Sequence, residues 1–254
     1  MKRTIILAFL AMLMPIYSQA QENVDSIVAA ADSAYIKGDF ISAASMYQDI
    51  IETRGVNATI YMNLGNCWYQ QDEIAKAILY YERAYLLDPS DDDVKFNLEL
   101  SRTKTVDQVT PKNRIFLAVW FQSIQSGLDI SQWTCMVVLL FALTVMAIGL
   151  LLFSRKYTVR KISLGFASLF FVFSILSFIF ASRQMGNISD RDTAIIMVPS
   201  VTVKSTPIES GTDLVTIHEG RKVEIIDASM KEWVEIRLED GNTGWLPLDA
   251  IEII

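Results

Sequence analysis

Two long apolar runs, separated by a short basic segment, constrain this chain more than any other feature. Residues 133–153 include no charged side chain over 21 positions, and residues 162–181 include none over 20 positions. A helix rises about 1.5 Å per residue, so each run is long enough to cross the ~30 Å hydrocarbon core of a bilayer. Neither run has the amphipathic period of a core helix in a soluble protein. We therefore predict two transmembrane helices joined by a loop at 154–161.

The distribution of basic residues predicts how this helical hairpin is oriented. The loop contains Arg155, Lys156, Arg160 and Lys161 and no acidic residue. Loops rich in lysine and arginine face the cytoplasm. We therefore expect the hairpin in the cytoplasmic (inner) membrane, with the loop in the cytoplasm and both long flanks in the periplasmic, extracytoplasmic space.

The N-terminus has the pattern of a secretory signal peptide at residues 1–20. Lys2 and Arg3 precede an apolar stretch, and the small-residue site Ser18-Gln19-Ala20 follows it. Cleavage after Ala20 is expected, and an uncleaved N-terminal anchor is the alternative. In both cases the next segment is exported, in agreement with the orientation of the hairpin.

The segments on either side of the hairpin are acidic. Residues 21–112 contain 15 acidic and 8 basic side chains, and residues 192–254 contain 12 and 5, so each has a net charge of −7. Nucleic-acid phosphates require lysine and arginine partners, which argues against nucleic acid as a ligand. Cys67 and Cys135 are far apart in sequence, and this excludes a disulfide framework or a cysteine-based zinc site.

Residues 21–104 have a helical period and an internal repeat of 34 residues. With Ala58 as position 1, the positions 4, 7, 8, 11, 20, 24, 27 and 32 are Tyr61, Leu64, Gly65, Trp68, Ala77, Tyr81, Ala84 and Pro89. This pattern resembles the tetratricopeptide repeat, an antiparallel helix pair. We expect repeats at 24–57 and 58–91 and a cap helix at 91–103. Two repeats are fewer than such arrays usually need, so their stability is expected to depend on a partner or on docking to the rest of the chain.

The resemblance to tetratricopeptide repeats implies a concave groove, formed by the first helix of each repeat, that binds peptides. The candidate partner-binding residues are Val28, Asp32 and Tyr35 in the first repeat and Met62, Asn66 and Tyr69 in the second. A groove specialised for C-terminal carboxylates would need a lysine where Met62 stands, so that variant is disfavoured. The alternative for Tyr35 and Tyr69 is that they are merely exposed or half-packed.

Residues 105–132 are interpreted as a linker that contains a short amphipathic helix. Its apolar run is too short to span a bilayer, but Trp120, Phe121 and Ile124 are spaced to lie on a bilayer surface. The alternative is that this helix packs under the last helix of the repeats.

Residues 190–254 have the alternation and turn residues of short strands, which predicts a small β-barrel. The opening Val201–Pro207 segment and the Gly244-Trp245 pair resemble bacterial SH3-like domains. Trp233 and Trp245 are candidates for a ligand face, although packing at the core or rim is the favoured role for them.

No catalytic motif is recognised in the sequence. The single histidine, His218, has no nucleophile pattern around it, and no glycine-rich nucleotide loop occurs. The apolar runs also lack the ionisable residues that a transport path would need. We therefore expect a protein that is not an enzyme and has no cofactor or metal site.

The predicted fold class is a multidomain membrane protein with all-α tetratricopeptide helical repeats, a transmembrane helical hairpin and a C-terminal all-β SH3-like barrel. This order resembles the BatE-type proteins of the Bat aerotolerance group. The resemblance implies a membrane scaffold or assembly factor with von Willebrand A-domain Bat proteins as partners and, indirectly, a MoxR-type ATPase. The competing hypothesis is a cell-wall sensor or tether that binds peptidoglycan peptides through the SH3-like domain. A third is a membrane protein of unrelated physiology that combines two common modules.

Overall fold

The computed structural model describes residues 26–107, 116–189, 192–238 and 240–254. The predicted signal peptide at 1–20 lies outside the described residues, as does the 108–115 part of the predicted linker. Helical repeats come first, two long apolar helices follow, and an antiparallel sheet ends the chain, which confirms the predicted fold class.

Five helices form the N-terminal module. They are α1 (Ser26–Ile36), α2 (Phe40–Arg54), α3 (Ala58–Gln70), α4 (Ile74–Leu87) and α5 (Asp92–Arg102). Side chains cap the N-termini of α2 and α3: Asp39 accepts from Ser42 N at 3.1 Å, and Asn57 accepts from Thr59 N at 2.7 Å. Asp91 accepts from the backbone of Asp93 and Val94, so the acidic run before α5 both caps that helix and complements its dipole.

Small residues at the positions set by the 34-residue period let the helices of this module approach closely. Ala31, Ala43 and Ala77 are fully buried. A methyl group placed on Gly65 would lie 2.7 Å from Cε1 of Tyr81, which is closer than carbon atoms approach without displacement. Position 8 of the second repeat therefore has room for glycine and for nothing larger.

The two apolar helices are longer than the apolar runs that predicted them. They are α7 (Ile130–Phe153) and α8 (Tyr157–Ser189), so only residues 154–156 are non-helical where a loop at 154–161 was expected. The basic residues of that segment are good helix formers, so the polar boundary of the run does not end the helix. Both helices are long and apolar enough to cross a membrane. Of the most apolar 18-residue stretch, only 11% is buried in α7 and 22% in α8. A core helix of a soluble protein would be mostly buried.

The short helix α6 (Phe116–Gln125) packs against one end of this hairpin. The ring of Phe121 lies 4.9 Å from that of Phe180, which in turn lies 4.8 Å from the ring of Trp133. The indole N–H of Trp133 donates to the carbonyl oxygen of Gln125 at 3.1 Å. Trp120 remains 56% exposed on α6.

Seven strands form one antiparallel sheet in the order β3-β2-β6-β5-β4-β1-β7. They are β1 (Thr193–Ile196), β2 (Ser200–Lys204), β3 (Asp213–His218), β4 (Lys222–Asp227), β5 (Trp233–Arg237), β6 (Thr243–Pro247) and β7 (Ile251–Ile253). The sheet encloses a single core that includes Val203, Ile217, Val234, Ile236 and Leu246. The alternation in the sequence predicts strands in the segments of β1, β2, β4, β5, β6 and β7 but not β3, because this edge strand exposes its first four residues and lacks a clear alternation.

The sheet packs on α4 and α5, so the two soluble modules form one body. Ile195 and Ile254 of the sheet share a buried cluster with Ile78, Tyr81 and Leu98 of the helices. Ile254 is only 9% exposed in this interface. The short repeat array is thus covered at its open end by another part of the same chain.

A buried carboxylate lies at the centre of this interface. The side chain of Glu82 on α4 is 2% exposed, and it forms ion pairs with Arg102 of α5 and Lys222 of β4. The Lys222 Nζ donates to Glu82 Oε2 at 2.7 Å. Because a buried charge is costly without partners, Glu82 requires both the cap helix and the sheet to be in place.

Polar contacts fix the rim of the interface. Arg83 donates to the carbonyl oxygen of Ile253 at 2.6 Å and to Glu252 at 3.0 Å. On another side, the backbone N–H of His218 donates to Asp107 Oδ2 at 2.8 Å, and His218 Nδ1 lies 2.9 Å from Asp107 Oδ1.

The carboxyl group of Asp107 is held in its charged form. Burial would raise its pKa, but the two hydrogen bonds with His218 and the nearby charge of Arg221 outweigh that effect, so the pKa lies below its ordinary value. Asp107 therefore joins the end of the helical module to the β3–β4 turn as a carboxylate.

Replacing Gly65 by alanine tests the close approach of α3 and α4. Because the added methyl group would overlap Tyr81, we expect Gly65→Ala to lower the free energy of unfolding by about 1–3 kcal/mol. Gly149→Ala in α7 is the matched control, since a methyl group there meets nothing within 4 Å. Chemical unfolding of the full-length protein in detergent measures both, and equal stability of the two variants would contradict the packing described.

Asp107→Asn tests the rim contact through its pH dependence. The variant should be less stable than wild type at pH 7 by about 1–2 kcal/mol, because an amide replaces a charged acceptor. The folded-state pKa of Asp107 is lowered, so its contribution is fully present above roughly pH 4 and is lost as the pH falls through the folded-state value. In urea unfolding, the difference in stability between the two proteins should therefore narrow as the pH falls from 7 to about 3. A constant difference across this range would contradict the assignment.

Candidate partner-binding groove

Two adjoining cavities lie on the face formed by α1, α3 and α5. The first, of about 250 Å³, is lined by Asp32, Tyr35, Ile36, Tyr47, Asn63 and Asn66. The second, of about 310 Å³, is lined by Tyr35, Asn66, Tyr69, Gln70, Tyr81, Asn97 and Leu100. Tyr35 and Asn66 line both, so the cavities form one continuous depression, which we call the groove.

Asp32 is held in place at one end of the groove. Its Oδ1 accepts a hydrogen bond from the hydroxyl group of the buried Tyr47. Burial, and then the neighbouring Asp32, raise the pKa of Tyr47, so the phenol remains a hydrogen-bond donor. Asp32 is the one carboxylate among the described residues that line the groove.

Asn66 lies at the centre of the groove with a fixed amide orientation. Its Oδ1 accepts from the hydroxyl group of Tyr81 at 2.7 Å and from Nδ2 of Asn97 at 3.2 Å. The described residues offer its Nδ2 no acceptor, so this group is available to donate to a ligand. An extended peptide presents backbone carbonyl oxygens that suit such a donor.

The aromatic rings of the groove are braced by their neighbours. Tyr35 packs edge-on against Phe40 with ring centroids 5.2 Å apart. The Nζ of Lys104 lies 4.1 Å from the ring centroid of Tyr69, in a cation–π contact. Rigid, amphipathic rings provide contact area at a small entropic cost.

The structure brings together four of the six residues predicted for the groove. Asp32, Tyr35, Asn66 and Tyr69 line it. Val28 packs against the cluster formed by α1, α2 and α3, and Met62 packs against the cluster centred on α4. These two side chains support the groove from within the helical layers.

Sequence reasoning missed the contribution of the cap helix. Leu100 and Asn97 on α5 form one wall of the groove. Leu100 occupies position 9 of the 34-residue period, as Asp32 and Asn66 do. Extending the period to α5 therefore predicts Leu100 as a groove residue. The prediction of a cap helix at 91–103 gives that helix no part in the groove.

Cys67 lies beneath the groove and is fully buried. Burial, with a smaller effect of Asp32, raises the pKa of its thiol to about 12, so the group is protonated at neutral pH. Cys67 and Cys135 are both free thiols. Within the described parts of the chain, no group of three or more histidine, cysteine, aspartate or glutamate side chains is placed to hold a metal ion.

The outer face of the sheet carries a second candidate surface. Trp233 pairs with Pro247, and Trp245 pairs with Glu235, so the two indoles are diagonal neighbours on adjacent strands. Val234, which follows Trp233, and Leu246, which follows Trp245, are fully buried. Side chains alternate between the two faces along a strand, so both tryptophans lie on the opposite, outward face. Each is half-buried, as expected for rim packing as well as for a ligand face.

Comparison with known proteins identifies the repeat. The tetratricopeptide repeat model matches residues 58–91, the range that the 34-residue period predicts. None of the curated proteins matches the sequence significantly. A crystal structure of PcrH from Pseudomonas aeruginosa is among the solved structures that match, with 12% identity, coverage of 59% of this chain and 92% of that chain, and a TM-score of 0.31.

Proposed function

We propose that this protein is a non-enzymatic membrane scaffold that binds a segment of a partner protein in the groove. The observation that carries the proposal is the continuous depression on a tetratricopeptide repeat module, lined by braced tyrosines and a fixed asparagine amide. Repeats of this class suggest protein partners. The groove joins apolar contact area to a few placed polar groups, as sites for extended peptides do.

The interface between the two soluble modules supports a hairpin topology. A membrane hairpin returns the chain to the side from which it came, and Glu82 on α4 pairs with Lys222 on β4 beyond the hairpin. Contact between these modules requires that both lie on one side of the membrane. The basic segment 154–161 favours the periplasmic, extracytoplasmic side for them.

The finer part of the proposal is a place in a Bat-type aerotolerance complex. It is supported by the order of the modules, which resembles BatE-type proteins. In this proposal the groove binds a periplasmic segment of a von Willebrand A-domain Bat protein, and a MoxR-type ATPase acts on the cytoplasmic side of the same assembly.

A single substitution can block the groove without disturbing the fold. Leu100 is 38% exposed, so Leu100→Arg places a charged side chain in the groove from the surface of α5. Val56, which is 56% exposed in the α2–α3 turn and does not line the groove, supplies the matched control Val56→Arg. We expect von Willebrand A-domain proteins to co-purify with wild type and Val56→Arg and to fall at least roughly tenfold with Leu100→Arg.

Co-purification from gently solubilised membranes, followed by mass spectrometry, provides this measurement. The affinity tag should follow a flexible linker, because Ile254 is packed in the domain interface. Partners that bind all three proteins equally would contradict a role for the groove. Absence of any protein partner from wild type would contradict the scaffold function itself.

The neighbouring positions of Trp233 and Trp245 favour a second candidate function, which is binding of peptidoglycan peptides by the sheet. Deleting the sheet would also remove Lys222 from Glu82, so the substitutions Trp233→Leu and Trp245→Leu are a cleaner test. Binding of the full-length protein to isolated sacculi should be lost in this double variant if the sheet binds the wall. Binding that is equal to wild type would contradict that function.

A further inference from the structure

A separate cavity lies where the repeats meet the end of α8. Its volume is about 380 Å³, and α4, α6 and α8 all contribute to it. The polar side chains that line it include Gln125, Ser126, Arg183, Gln184 and Asn187. Of the described lining residues, Arg183 alone is charged, so no carboxylate faces it across the cavity.

Gln184 has no hydrogen-bond partner in this cavity. Its side chain belongs to a residue that is only 3% exposed, yet neither Nε2 nor Oε1 has a partner among the described residues. Buried side-chain amides are nearly always satisfied, because an unpaired donor or acceptor retains its desolvation cost. A ligand that fits must therefore offer both an acceptor for Nε2 and a donor for Oε1.

The neighbouring Arg183 is an exposed cation that can bind an anion. Its guanidinium carbon lies 5.7 Å from the ring centroid of Phe121, in a cation–π contact that places the guanidinium group beside the cavity. The described residues place no carboxylate within ion-pair distance of it. A guanidinium group binds phosphate as well as carboxylate, and it can donate two parallel N–H hydrogen bonds to either group.

The cavity lies at the boundary between apolar and polar surface on the hairpin. Gln184 follows Phe180 by about one helical turn. The Phe180 ring packs against Trp133, an aromatic residue of the type that marks the membrane interface. Below this level the apolar side chains of α7 and α8 are largely exposed, for example Phe178 at 61% and Phe141 at 55%.

We propose that this cavity binds the headgroup of a phospholipid that carries a hydrogen-bond donor beyond its phosphate. The phosphate accepts from Arg183 and from Nε2 of Gln184, and the ammonium group of ethanolamine or a hydroxyl group of glycerol donates to Oε1 of Gln184. The acyl chains lie on the exposed apolar surface of the hairpin. This site is distinct from the groove, and it rests only on the membrane-spanning part of the proposed function.

The chemistry of the headgroup provides a sharp test. Full-length protein in mild detergent is mixed with phosphatidylethanolamine, phosphatidylglycerol or phosphatidylcholine of identical acyl chains, and retained lipid is counted by native mass spectrometry. Choline has no hydrogen-bond donor, so we expect roughly tenfold less phosphatidylcholine than either of the other lipids. Equal retention of all three lipids would overturn the proposal.

Two variants locate the site. Arg183→Gln should lower retention of phosphatidylethanolamine roughly tenfold, whereas Arg160→Gln, which removes the same group at the opposite end of α8, should leave it unchanged. Gln184→Leu should lower retention and also raise the thermal stability of the lipid-free protein, because it removes an unpaired buried amide. A purely structural Gln184 would lose stability when replaced.

Soluble competitors and vesicles separate the remaining outcomes. Release of the lipid by millimolar inorganic phosphate would assign the cavity to a free anion and overturn the lipid proposal. Flotation of the same preparation with vesicles tests the membrane-spanning hairpin independently. Flotation without selective lipid retention would overturn this site and leave the scaffold function standing.

Discussion

The buried Glu82 carboxylate is the interaction on which the arrangement of the soluble modules depends. It lies on α4, and its two cations come from the cap helix and from the sheet. The carboxylate is 2% exposed, so loss of either cation would leave a partly unpaired charge in a buried site, at a large cost in free energy. The repeats, α5 and the sheet are therefore stable as a unit, and the sheet takes the place that a further repeat would occupy in a longer array.

This arrangement explains why a module with only two repeats can present a formed groove. The sheet covers α4 and α5 from one side, whereas the groove is formed by α1, α3 and α5 on another. Asn66 is fixed by Tyr81, and Tyr81 itself belongs to the cluster shared with the sheet. Docking of the sheet thus stabilises the residue that orients the central amide of the groove. Tyr81 therefore contacts both the interface with the sheet and the central amide of the groove.

The sequence predicted the features that arise from local pattern. The 34-residue period predicts the register of the second repeat, and the uncharged runs predict the two long apolar helices. The resemblance to tetratricopeptide repeats implies the four residues that line the groove. Contacts between distant segments leave no such pattern: Asp107 and His218 are 111 residues apart, and neither has a motif around it. The sequence does not predict the edge strand β3, because its exposed residues do not alternate. The interpretation of α5 as a cap helix does not predict Leu100 as a groove residue either, because a cap helix is not expected to line the groove.

The most direct test is whether the two soluble modules are docked on one side of the membrane in the intact protein. Arg83 and Glu252 are joined by a 3.0 Å ion pair across the interface, so Arg83→Cys with Glu252→Cys, in a Cys135→Ala background, places two thiols within reach of a short cross-linker. A membrane-impermeant bifunctional reagent, added to intact spheroplasts, should cross-link this pair within one chain, whereas Arg83→Cys with Arg155→Cys should stay uncross-linked. Absence of the first cross-link, or appearance of the second, would contradict a scaffold built from modules that are docked on the periplasmic face of the membrane.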